Sequence, residues 1–135
     1  MKKKNTLLLF LCLFSLWAVA QEKKPVKIAC VGNSITYGSG IKNQFQNSYP
    51  GLLSQLLGEG YDVRNFGISA RVLLNKGDHP YMHEQKFRDL LAFQPDIVTI
   101  KLGTNDSKPW NWRYGKDFKK DLTEMLDILQ ELPSK

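Results

Sequence analysis

Thiol and imidazole chemistry are nearly absent from this sequence, whose 135 residues include two cysteines and two histidines. Cys12 lies in the N-terminal apolar run, which leaves Cys30 alone in the rest of the chain and excludes an intrachain disulfide there. Cys30 sits among apolar neighbours, so it reads as a small buried side chain rather than a reactive thiol. His79 and His83 have Pro80 between them, which argues against the helical i, i+4 pair that a metal site uses. Both read as loop residues. Blocks of basic residues interleaved with aromatics are also lacking. The net charge of +6 includes Lys2, Lys3 and Lys4, and without them it falls to +3, with lysines and acids interleaved along the chain. Nothing in that pattern calls for a nucleic-acid partner. Internal repeats and low-complexity tracts are missing, and a hydrophobic share of 42% with 24% charged residues excludes disordered and collagen-like classes.

Long apolar runs are scarce too: there is one, Thr6 to Val19. It is short for a span of about 20 residues. It follows three lysines and leads into Ala18-Val19-Ala20, which places small residues at −3 and −1. Residues 1–20 therefore read as a secretory signal peptide cleaved before Gln21. The expected location is secreted or periplasmic, with no stable membrane insertion after cleavage. Residues 21–135 are long enough for one domain.

What is present is an alternation. Val26 to Val31 is a short β-rich run bounded by Gly32, and it reads as a buried strand. Gly32 to Gln46 reads as a loop. Tyr49 to Leu57 carries Leu52, Leu53, Leu56 and Leu57 at helical spacing and stops at Gly58. Tyr61 to Phe66 is a second strand ended by Gly67. A helix from about Glu84 to Phe93 is closed by Pro95, and Asp96 to Leu102 is a third strand ended by Gly103. An amphipathic helix follows from about Lys116 to Leu132, with Leu122, Met125, Leu126 and Leu129 on one face. Alternation of this kind predicts an α/β fold with a parallel sheet and helices on both faces. In such sheets the site lies beyond the carboxyl ends of the strands.

The loops at those ends contain Gly32-Asn33-Ser34, Gly67-Ile68-Ser69 and Gly103-Thr104-Asn105-Asp106. Each is an ordinary loop opening by itself. Together they offer a nucleophile and three donors for the oxyanion that an attacked ester develops. Ser34 is the candidate nucleophile. Its backbone N–H, that of Gly67 and the Asn105 carboxamide are the candidate oxyanion donors.

Ile28-Ala-Cys-Val-Gly-Asn-Ser-Ile-Thr-Tyr-Gly38 resembles the first block of the SGNH hydrolases, also called the GDSL-like lipase/esterase family, with Asn33 where that family often has Asp. Val63-Arg-Asn-Phe-Gly-Ile-Ser-Ala70 resembles the second block, and Leu102-Gly-Thr-Asn-Asp106 resembles the third, Gly-x-Asn-Asp. The resemblance implies a flavodoxin-like three-layer α/β/α sandwich. Matched residue by residue, it places Ser34 as nucleophile with Gly67 and Asn105 in the oxyanion hole. The family's last block, Asp-x-x-His, supplies the general base and its orienter. Neither His79 nor His83 has an aspartate three residues before it. The chain is therefore expected to be a fragment ending before that block, with one side of its sheet uncovered, marginal stability and little activity alone. Loss of one member of a serine triad costs about 10⁴ to 10⁶ in turnover.

Substrate choice is less legible. Trp110 and Trp112 follow Asn105 closely and suit the apolar faces of sugars; with Asn33 and Asp106 they are the expected substrate-binding residues. The stretches 74–80 and 103–112 are similar to exported bacterial carbohydrate or sialate O-acetylesterases of that family. The resemblance implies deacetylation of a glycan or small ester through an acyl-enzyme on Ser34, with no metal or organic cofactor. The competing reading is a catalytically dead glycan-binding domain of the same fold. An α/β-hydrolase elbow is disfavoured because Thr36 holds its final glycine position. Gly32 to Ser39 lacks the Lys-Ser/Thr of a P-loop, and Gly38-Ser-Gly40 lacks the third glycine of a dinucleotide fingerprint.

Overall fold

The structure, a computed structural model, describes residues 24–133. The leader expected over residues 1–20 lies outside them. Three strands form at the predicted places: β1 (Val26–Gly32), β2 (Tyr61–Gly67) and β3 (Ile97–Lys101). All pairs are parallel, in the order β2-β1-β3. Parallel neighbours need crossovers. The one from β1 to β2 carries α1 (Ser34–Tyr37), α2 (Gln44–Asn47) and α3 (Tyr49–Leu57). The one from β2 to β3 carries α4 (Gln85–Phe93). After β3 come the short α5 (Pro109–Trp112) and the longer α6 (Phe118–Gln130).

Alternation along β1 sorts its side chains to two layers. Ala29 and Val31 join Phe66, Phe87, Leu90, Phe93 and Met125 in the main core, under α4 and α6. Full burial of a side chain such as Leu90 contributes about 1.5–3 kcal/mol, so this layer carries much of the fold's stability. Cys30 points to the other face, towards Tyr49 at the head of α3. Its thiol is free and buried, and burial raises its pKa, which matches the inert role read from the sequence. The result is the expected three-layer α/β arrangement. The second face is less complete among the described residues: Ile97 and Leu52 are half-exposed and Leu56 is 84% exposed.

Two boundaries differ from the sequence reading. The stretch expected as one loop after β1 contains α1 and α2, because the Asn33 Oδ1 accepts from the Ile35 N–H at 3.1 Å and starts a helical turn. Gly38, at φ 89°, ends it. One-turn helices leave no periodicity to read. The last helix starts later than expected, since Gly115–Asp117 forms a 3₁₀ turn before α6. α4 ends on Gln94 in the left-handed region, directly before Pro95.

Candidate active site

The strand register brings the three loops to one edge. Gly32, at the end of β1, is paired with Gly67 on one side and with Lys101 on the other. The segments after these residues therefore leave the sheet side by side. Ser34 occupies the first position of α1, partly exposed. A helix's first N–H groups have no partner within the helix; here the Asn33 side chain takes that of Ile35. The Ser34 N–H, at the first position of the helix, has no partner within it.

Two glycines let α1 lie this close to the strands. A Cβ on Gly32 would run into Thr36 Oγ1 and approach the Lys101 carbonyl to 2.8 Å. A Cβ on Gly67 would overlap the backbone N of Tyr37. Gly67 differs in role from the expectation. Its N–H donates to Asn65 Oδ1 at 2.8 Å instead of standing free as an oxyanion donor. The same Asn65 donates through Nδ2 to the carbonyl of Thr36 at 2.8 Å. One amide thus ties β2 to the helix bearing Ser34.

The loop after β3 is organised around Asp106. Its side chain is fully buried, Oδ1 accepting the N–H groups of Leu73 and Leu74, each at 2.8 Å, and Oδ2 that of Gly103 at 3.0 Å. Asp106 was expected to touch substrate; its carboxylate is instead spent on joining two loops. Asn33 departs likewise. It is buried, caps α1, and keeps an Nδ2 with no partner among the described residues. Asn105 is nearly buried and donates one of its two amide hydrogens to the carbonyl of Arg71 at 3.0 Å. Arg71 donates to the Ser69 carbonyl, and Ser69 Oγ lies 2.6 Å from Ser39 Oγ in the first loop. The loops are thereby laced together, although no hydrogen bond among the described residues joins Ser34 to Asn105, His79 or His83.

Asn111 was missed in the sequence. Buried between the two tryptophans, it donates to the Asn105 carbonyl and to Asp78 Oδ1, both at 3.0 Å, and accepts from the Asp78 N–H at 2.9 Å. Asp78 Oδ2 in turn receives the Trp110 indole N–H at 3.1 Å. Desolvation works against the Asp78 carboxylate, but the donors from Asn111 and Trp110 outweigh it and hold its pKa below the usual value. Trp110 and Trp112 both present more than half of their surface. Trp112 is braced by Phe118, with ring centroids 6.0 Å apart, and by Gly115, where a Cβ would come within 2.9 Å of the indole. Little in the sequence could have marked Asn65, one of several polar residues in β2, or Asn111, set between two tryptophans. His79 and His83 are both exposed; His79 lies in a loop, but His83, expected as a loop residue, closes the 3₁₀ turn Tyr81–His83.

Comparison with known proteins agrees with this geometry. Residues 30–135 match the model of the GDSL-like Lipase/Acylhydrolase family. An acetylxylan esterase of Xylanibacter ruminicola is 54% identical over 111 residues, covering 82% of this chain and 23% of that relative. Among solved structures, AlinE4, an SGNH-hydrolase family esterase, superposes with a TM-score of 0.58 at 24% identity, covering 82% of this chain and 57% of that one. A variant of the AlinE4 esterase gives 0.61 at 24% identity over 78% and 53%. These neighbours share the fold. The chain spans about a quarter of the length of the curated relative and just over half of the solved ones.

Proposed function

We propose that this chain, which belongs to the GDSL-like Lipase/Acylhydrolase family, carries the nucleophile and oxyanion site of an exported esterase that removes acetyl groups from a plant-type polysaccharide. The observation that carries this reading is Ser34 at the exposed head of α1, with its hydroxyl and backbone N–H at the edge where all three strands end. Ser34 Oγ attacks the acetyl carbonyl, an acyl-enzyme forms as the sugar hydroxyl leaves, and water then releases acetate. Negative charge on the carbonyl oxygen is met by the Ser34 N–H and the second amide hydrogen of Asn105. Gly67 serves by letting α1 approach, since Asn65 holds its N–H. Among the described residues no hydrogen bond joins Ser34 to a histidine that could take its proton, so the chain alone turns over slowly.

Polysaccharide acetyl esters are favoured over acetylated sialic acid by the acetylxylan esterase relative and by the braced, half-exposed Trp110 and Trp112, which suit uncharged sugar faces. The test is acetate release from acetylated xylan and from O-acetyl sialic acid by the protein extended through its downstream coding sequence, beside this chain alone. The extended protein should prefer xylan, and Ser34→Ala should reduce its turnover by about 10⁴ to 10⁶. Equal activity of the Ser34→Ala variant would reject the nucleophile, and a preference for sialate would reject the substrate class.

A further inference from the structure

Beyond the catalytic edge, the side of the molecule formed by α2, α3 and β2 carries an aromatic ring whose exposure the fold does not require. Phe45 is 89% exposed. A single exposed apolar residue needs no explanation, but the backbone beneath this one is fixed with unusual care. The Gln46 N–H donates to the Asn43 carbonyl, Asn47 Nδ2 to the Lys42 carbonyl at 2.8 Å, and Gln55 Nε2 from α3 to the Gln46 carbonyl at 2.9 Å. Gly51 brings α3 so near that a Cβ there would overlap the Phe45 carbonyl. A ring held out from an anchored turn is presented at small entropic cost when a ligand stacks on it.

Phe45 borders two cavities. One, of about 430 Å³, is lined by Gln46, Asn47, Ser54, Gln55 and Asn65 together with a larger share of apolar surface, and none of its nine lining residues is ionisable. The second, of about 520 Å³, shares Phe45, Val63 and Asn65, reaches Tyr37 at the end of α1, and has the charged Asp62, Arg64 and Lys86 in its wall. Nearly a quarter of the chain's residues are charged, so the first cavity, with amides and a hydroxyl but no ionisable side chain beside a projecting ring, is the trough that selects for a neutral, hydroxyl-rich ligand. Asn65, in the wall of both cavities, holds the Thr36 carbonyl of the helix that begins at Ser34, which ties the trough to that helix.

We propose that this trough is a second binding site, in which Phe45 stacks on a sugar of a neutral polysaccharide chain and the surrounding amides bond its hydroxyls while an acetylated residue of the same chain lies at Ser34. The site rests on the function proposed above for its choice of polymer, but its occupancy does not depend on catalysis. A plain, deacetylated chain binds it equally well.

The test is affinity electrophoresis of the protein in gels containing deacetylated xylan, with bovine serum albumin as a non-binding reference. The wild type should be retarded. Phe45→Ala should weaken retention about tenfold, Phe45→Tyr should retain it, and the melting temperature should hold because the ring lies outside the core. Absence of wild-type retardation overturns the proposal, as does retention by Phe45→Ala equal to that of the wild type. A change in oligomeric state on Phe45→Ala, with xylan binding intact, would assign the ring to self-association and also overturn it. Phe45-dependent binding by the extended protein of the activity test, if that protein releases no acetate from acetylated xylan, would keep the trough and reject the esterase.

Discussion

The loop after β1 and the loop after β3 leave the sheet at one edge, yet they treat their buried polar groups in opposite ways. In the third loop every oxygen of Asp106 has a backbone donor, and Asn111 uses both ends of its amide. In the first, Asn33 caps one N–H and leaves a buried Nδ2 without a partner among the described residues, while the Ser34 N–H has none within the helix. A buried group without a partner costs roughly 1–3 kcal/mol, which a fold tolerates where chemistry needs open valences. The third loop holds Asn105 still; the first keeps donors in reserve.

Breaking the closed network should give the largest effect on stability. Asp106→Ala strands the N–H groups of Leu73, Leu74 and Gly103, and should lower unfolding free energy by roughly 3–5 kcal/mol in a urea titration. A loss under about 1 kcal/mol would mean that the two loops are not so different after all.

The next effect sharpens the division of labour. Asn105→Ala should lower kcat on acetylated xylan by about 10²- to 10³-fold, the usual loss for one oxyanion donor. Asn111→Ala should lower it less, by about tenfold, and add little when combined with Asn105→Ala, since Asn111 acts by holding Asn105. Additive losses would place Asn111 in a purely structural role.

The smallest effect concerns the rim. The folded-state pKa of Asp78 is depressed, so its contribution is complete above the ordinary carboxylate value of 3.8 and disappears as pH falls through the lower folded value. Acidification through that window should free the Trp110 indole and shift its fluorescence, and Asp78→Asn should abolish the shift. A shift that survives Asp78→Asn would trace the change to other carboxylates.

Much of this layout is legible before folding. Strand positions follow from short β-rich runs ended by Gly32, Gly67 and Gly103; β1 is largely buried and reads as near-continuous apolar, while β3 alternates exposed and half-buried residues. Ser34 and Asn105 stand out as candidates because loops at strand ends are where chemistry collects. What the sequence withholds is which polar groups have already found partners. Nothing local distinguishes Asn105, with a hydrogen to spare, from Asp106, with none. The capture of Gly67's N–H by Asn65 depends on a side chain curling back two residues, and one-turn helices such as α1 are fixed by a cap and a glycine rather than by periodicity.

The outer position of β3 has a practical consequence. Among the described residues β3 pairs only with β1, so one row of its main-chain groups faces outward beside the half-exposed Ile97. Such a border is a template for recruiting another extended chain. Concentrated solutions of this polypeptide should cloud on standing, and an added charge at Ile97 should keep them clear. Handling of the protein, no less than its chemistry, will be decided at the margin of its sheet.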